Sequence, residues 1–236
     1  MKILIALFLI IFPCILQAQT NSSSSYWGIT LHGGPFVSGL PSHLEERMKS
    51  QGYLPHSGGL FGTGASIPMA KRTIVIQVGV ERNWNKLGLV NLLFSTYSGK
   101  LSGISSQNGD LNLNYKIKAI NFLGGIHLNH RTMRLAIGPA WYAINVIGDR
   151  PFDTLVPLKK NFNKLGFAVE SGIRFPKEGL LFADFNVQYQ KVGKIDMGTY
   201  SFEEVDASGQ LQTVNFSAGE KSFNYLVINF GLGLRL

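Results

Sequence analysis

Cysteine is nearly absent from this 236-residue chain: Cys14 is the only one. It lies in an apolar stretch from Ile3 to Leu16 that follows Lys2 and ends in Leu16-Gln17-Ala18, the pattern of a secretory signal cut after Ala18. With about 14 apolar residues, the stretch falls short of the roughly 20 needed to span a bilayer as a helix, and Pro13 would disturb such a helix. A lipid anchor on Cys14 is disfavoured because Pro13 precedes it. Removal of residues 1–18 leaves no cysteine, which excludes both a disulfide framework and a thiolate metal site.

Charge is also scarce, at 15% of residues against roughly 25% in soluble domains. No apolar run after residue 18 approaches helix-spanning length. A charge-poor chain without such a run can still live in lipid as a closed barrel, whose backbone polar groups pair between strands. The formal charge of +8, or +7 once Lys2 is lost, comes from Lys and Arg scattered singly near turns. That spread favours contact with anionic lipid headgroups over a nucleic-acid face.

From Tyr26 to the end, stretches of period-two alternation recur between Gly, Pro, Asn and Ser, without convincing helical periodicity. Eight strands are expected, at about 26–34, 58–69, 72–84, 113–128, 132–147, 164–175, 180–192 and 222–236. Short links at Ala70-Lys71, Asn129 to Arg131 and Pro176 to Gly179 alternate with long ones near 35–57, 85–112, 148–163 and 193–221. Such alternation is characteristic of a transmembrane up-and-down barrel, with both termini on the short-turn, periplasmic side. Leu89 to Phe94 is too apolar for a solvated loop, and three readings stay open: a strand extension over Leu87 to Tyr97, the outer end of a neighbouring strand, or an inward plug.

The expected architecture is therefore all-β: an eight-stranded antiparallel up-and-down transmembrane β-barrel over residues 26–236, behind a signal peptide (1–18) and a flexible leader (19–25). One strand face carries Leu, Ile, Val and Phe; the other is small, amide-bearing or charged. A lipocalin-type soluble barrel would turn the apolar face inward. A membrane barrel turns it outward and encloses Glu81, Glu170, Arg174, Asp184 and Arg235, which should then pair across a lumen too narrow for a channel. Trp27, Trp84, Trp141, Tyr142, Tyr189 and Tyr225 are candidates for interfacial girdles, with ordinary packing the equal alternative.

The order of elements resembles the outer-membrane β-barrel domain common in Bacteroidota, called PorT-like. The resemblance is carried by Gly59 to Pro68, by Arg134 to Tyr142, and by the closing strand Asn229 to Leu236, which ends in Leu where such strands commonly end in an aromatic residue. It implies an outer-membrane location, contact with outer-membrane lipid and recognition of the last strand by the barrel assembly machinery. It brings no catalytic residue and no cofactor.

Of the histidines His32, His43, His56, His127 and His130, no pair has helix-face metal spacing. The runs Gly62-Thr63-Gly64 and Gly231-Leu232-Gly233 lie within strands and open no helix, so close barrel packing explains them better than phosphate binding. Asp153-Thr154-Leu155 matches an O-glycosylation triplet, which an unchanged intact mass of the native protein would reject. Three roles remain: a structural or surface-interaction barrel offering its long loops to an external ligand, a secretion or assembly accessory, and a lipid-modifying enzyme.

Overall fold

A computed structural model describes residues 25–38, 40–55, 70–71, 74–84, 88–105, 109–128, 133–149, 158–176, 179–205 and 210–236. Eight long strands form a closed antiparallel ring: β1 (Tyr26–Ser38), β3 (Ile74–Trp84), β4 (Gly88–Ser105), β5 (Gly109–Leu128), β6 (Met133–Asp149), β7 (Leu158–Phe175), β8 (Leu181–Lys191) and β13 (Tyr225–Arg235), which pairs back to β1. The two-residue β2 (Ala70–Lys71) pairs with β4 above β3. Helix α1 (Leu40–Ser50) follows β1, and the short strands β9 (Lys194–Asp196), β10 (Thr199–Val205), β11 (Leu211–Ser217) and β12 (Glu220–Ser222) lie between β8 and β13.

The strand count agrees with expectation, but one member differs. The place beside β1 is taken by β3, with Gly28 opposite Glu81 and Gly33 opposite Ile76. Residues 58–69, expected as the second strand, lie outside the described residues, as does the Gly59 to Pro68 motif, and the ring closes without them. Ala70-Lys71 is no turn, since it pairs with Leu101 and Lys100. The 85–112 segment is no loop either: β4 is a full barrel strand, paired with β3 on one side and β5 on the other. A second correction is α1 itself, inside the predicted loop 35–57. Leu40, Leu44 and Met48 recur every four residues and are buried, a stripe too short to stand out among alternating strands. The Ser38 hydroxyl accepts from the Leu40 amide at 3.1 Å and caps the start of the helix.

The faces follow the period of two. On β3, Ile74, Ile76, Val78 and Val80 are exposed, whereas Gln77, Glu81 and Asn83 are buried. On β13, Phe230 and Leu232 are 68% and 69% exposed, with Asn229 fully buried between the strands' inner faces. Greasy side chains outside and polar ones inside exclude the lipocalin arrangement and make this a transmembrane barrel of the outer-membrane type.

Along the four longest strands, the phase of the alternation inverts. On β5 the outward positions Leu128, Ile126, Phe122 and Ile120 give way to Lys118, Lys116 and Asn114, while the inward ones change from His127 and Asn121 to Ile117, Leu113 and Leu111. The others repeat this change from the belt upward: outward Phe94 lies below Thr96 and Ser98 on β4, Trp141 below Asn145 on β6, and Leu165 below Asn163 and Asn161 on β7. Register places Phe94, Ile120, Trp141 and Leu165 side by side at the change. Below that row the outside meets hydrocarbon; above it the outside meets water and the inside must become apolar, as in a soluble domain. From Leu165 to Phe175 the belt runs about 33 Å along the strand at about 3.3 Å per residue. A tilt of about 40° reduces this to about 25 Å, the height of an outer-membrane apolar band.

Candidate functional site

The lower lumen is built around two guanidinium groups. Arg174 on β7 forks onto Glu81 of β3, through Nη1 to Oε1 and through Nη2 to Oε2 at 2.8 Å. These strands stand four places apart in the ring of eight, so the pair spans the full width of the barrel. Nη2 of Arg174 also donates to Asp184 Oδ2 at 3.2 Å, and Nη1 donates to the Tyr26 hydroxyl at 2.9 Å. Arg134 on β6 donates from Nε to Glu170 Oε1 at 2.5 Å and from Nη1 to Asp184 Oδ2. His32 Nε2 lies 3.2 Å from the same Asp184 oxygen.

An amide ladder continues upward. Gln188 donates to Glu170 and exchanges hydrogen bonds with Gln77 at 3.0 and 3.1 Å, while Asn229 donates to Gln77 at 3.1 Å and to Asn186 at 2.9 Å. Gln190 donates to Gln188 at 3.2 Å and accepts from the Tyr142 hydroxyl at 2.7 Å. Charges taken out of water cost several kcal/mol each unless paired and hydrogen-bonded. This mesh supplies those partners.

Of the five charged residues expected inside, Glu81, Glu170, Arg174 and Asp184 meet in this cluster. Arg235 does not. It sits at the open end of β13, where its guanidinium donates to the carbonyls of Gly179 and Pro176 at 2.7 Å each and lies 4.7 Å from the centre of the Phe182 ring. Its position on the inward face is that of a strand end, and the turn carbonyls there offer hydrogen bonds without burial. Arg134 and His32 complete the cluster and are missing from the sequence-derived set. Arg134 was readable, because it alternates with exposed Leu135 and Ile137. His32 had a weaker signal, flanked by exposed Leu31 but followed by Gly33 and Gly34.

Glycines make room for this filling. A Cβ on Gly231 would lie 2.2 Å from the His32 ring, one on Gly233 would lie 2.1 Å from the Phe182 ring, and one on Gly28 would lie 2.8 Å from Glu81. Gly231-Leu232-Gly233 is thus a packing device; Gly62 to Gly64 lies outside the described residues.

Above the network lies an aromatic layer. Phe36 stacks on Tyr97 with centroids 4.4 Å apart, Tyr225 packs against Tyr97 at 4.8 Å, and Tyr142 meets Tyr225 at 6.4 Å. Tyr142 and Tyr225 therefore pack inside, whereas Trp27, Trp141 and Tyr189 stand on the outer face, at 52%, 40% and 39% exposure, near the two edges of the belt. Leu40, Leu44, Met48 and Tyr53 join the top of this core, with Tyr200, Phe202 and Phe216 from β10 and β11. Arg47 donates to the Ser217 carbonyl at 2.9 Å, and Gln51 both donates to that carbonyl and accepts from the Ser217 amide, latching α1 to β11. Lys160 reaches over the Tyr200 ring at 4.3 Å and donates to the carbonyls of Met197 and Thr199; burial lowers its pKa, as burial raises that of Tyr200.

No family model matches the chain, and no curated protein matches it. Among solved structures, it is similar to Ail, the attachment invasion locus protein of Yersinia pestis, at 10% identity over 90% of this chain and 97% of that one, with a TM-score of 0.44. Neisserial surface protein A is similar at 10% identity, covering 91% and 98%, with a TM-score of 0.47. A major outer membrane protein from Thermus thermophilus gives 9%, 91%, 100% and 0.48 by the same measures. The outer membrane protease OmpT of Escherichia coli is similar at 8% identity, covering 93% and 100%, with a TM-score of 0.41. The eight-stranded closure stands on this chain's own strand pairing.

Among the described residues, no group of His, Cys, Asp or Glu is arranged to hold a metal ion. His43 is exposed on α1 beside Glu46, His127 faces Asn83 inside the barrel, and His56 and His130 lie outside the described residues. The Asp153-Thr154-Leu155 triplet also lies outside them.

Proposed function

We propose that this chain serves as a plugged barrel of the outer membrane, closed to solutes, with a structural or surface-interaction role carried by the apron that rises above the lipid. The Arg174 to Glu81 pair across the lumen is the observation that carries this reading, since a channel would need that width for water. The apron consists of the outer ends of β4 to β7, with α1 and β9 to β12 folded over the mouth. An external ligand would meet the barrel there. Planar-bilayer recording of the purified protein should give no stable conductance steps, whereas steady ohmic pores would defeat the plugged reading.

A second reading, a secretion or assembly accessory, is favoured by the PorT-like resemblance in Arg134 to Tyr142 and in the closing strand. Normal secretion in a deletion strain would count against it. A lipid-modifying enzyme is the weakest reading, because His32 and His127 are buried in the lumen away from lipid; an unchanged lipid A profile on deletion would reject it.

A further inference from the structure

Immediately above the apolar belt, the outward face of β4 to β7 forms a grid that register fixes. Its first row is Thr96, Lys118, Ala143 and Asn163; its second is Ser98, Lys116, Asn145 and Asn161; its third is Lys100, Asn114, Ile147 and Lys159. Twelve positions thus hold four lysines, four asparagines, a serine and a threonine, with no acid. The outward acids of these strands, Asp110 and Asp149, lie nearer the tips. Neighbouring strands are about 4.8 Å apart and alternate residues about 6.7 Å, so the four ammonium groups share a surface about 14 Å on each side. None of the four lysines is fully buried, and Lys116, Lys118 and Lys159 are exposed.

We infer that this grid is a docking surface for the phosphorylated sugar headgroup of an outer-leaflet glycolipid. The inference rests on the membrane orientation argued above. Continuity identifies the occupant: the row beneath is Phe94, Ile120, Trp141 and Leu165, the top of the lipid belt. A molecule whose acyl chains lie on that belt places its headgroup on the lysines. The chemistry agrees, because ammonium groups attract phosphate while amide and hydroxyl groups hydrogen-bond sugar hydroxyls. An anionic protein would meet the same charges, but it would have to displace the lipid that the belt already holds.

The full chain is to be placed in phosphatidylcholine nanodiscs containing a dansyl-labelled bisphosphorylated glycolipid, its dephosphorylated form or dansyl phosphatidylglycerol. Energy transfer from tryptophan reads enrichment at the barrel surface. Enrichment of the phosphorylated glycolipid over both others is expected, weakening with salt. Combining Lys100→Gln, Lys116→Gln, Lys118→Gln and Lys159→Gln should lower it by at least about tenfold, the least expected when several surface lysines each contribute. Lys49→Gln, Lys194→Gln and Lys221→Gln together should leave it unchanged. Equal enrichment in the quadruple variant, or no preference for the phosphorylated glycolipid, overturns the docking surface. Heat-modifiable migration is read on the same samples: its loss in the unmutated chain would instead defeat the barrel reading.

Discussion

The lower and upper lumen share strands β4 to β7, yet the inward faces of the two halves have opposite chemistry. Below the row of Phe94, Ile120, Trp141 and Leu165, the inside holds Glu81, Arg134, Glu170, Arg174 and Asp184 among amides. Above it, the inside holds Tyr97, Ile117, Ile144 and Val146, sealed by α1. The difference lies in what surrounds each half. A segment bathed in hydrocarbon gains nothing by hiding apolar groups and uses its inner face to fix register, because a slip by one residue would put every charge into lipid. A segment bathed in water must hide them. The lower lumen is not uniformly polar, since Leu89, Leu93 and Leu123 line the β4 and β5 side.

The largest expected effect breaks the lower half. Arg174→Met leaves Glu81 and Asp184 short of their shared cation and should cost about 3–5 kcal/mol in urea unfolding from lipid vesicles. Adding Glu81→Met should recover part of that loss. Failure of the second change to recover any stability would mean that the pair is not coupled.

Next comes a test of the contrast itself. Ile117→Asn, in the upper half, should cost about 2–4 kcal/mol, through lost burial and a stranded amide. Asn121→Leu, four residues away inside the lower half, should cost under about 1 kcal/mol, since an apolar group of similar shape replaces a buried amide. Equal costs would erase the distinction between the halves.

Gly233→Val drives a side chain into the Phe182 ring and should cost about 1–3 kcal/mol, partly relieved by Phe182→Ala. The smallest effect is expected at the cap. Arg47→Ala removes one latch between α1 and Ser217 and should cost under about 1 kcal/mol, visible as faster proteolysis near α1 with the barrel's heat-shifted mobility intact.

The inner charges were legible because each alternates with an apolar neighbour on a strand: Glu170 with Val169, Asp184 with Phe185, and Glu81 with Val80. Strand β4 stood inside the expected 85–112 link for a physical reason. An alternation whose phase inverts reads as two short patterns rather than one long strand, so only the apolar run at Leu89 to Phe94 stood out. Helix α1 was hidden because its stripe of Leu40, Leu44 and Met48 gains meaning only against the aromatic core that it covers.

Alternation and scarce charge alone settle that strands cross the bilayer and which of their faces meets lipid. Those properties are local, written in the period of two and in the scarcity of charge. Tertiary structure alone decided which strand sits beside β1, that Arg174 reaches Glu81 across the ring, and that α1 closes the mouth. Each of these joins residues remote in the chain, and ring closure rather than local pattern sets their distance.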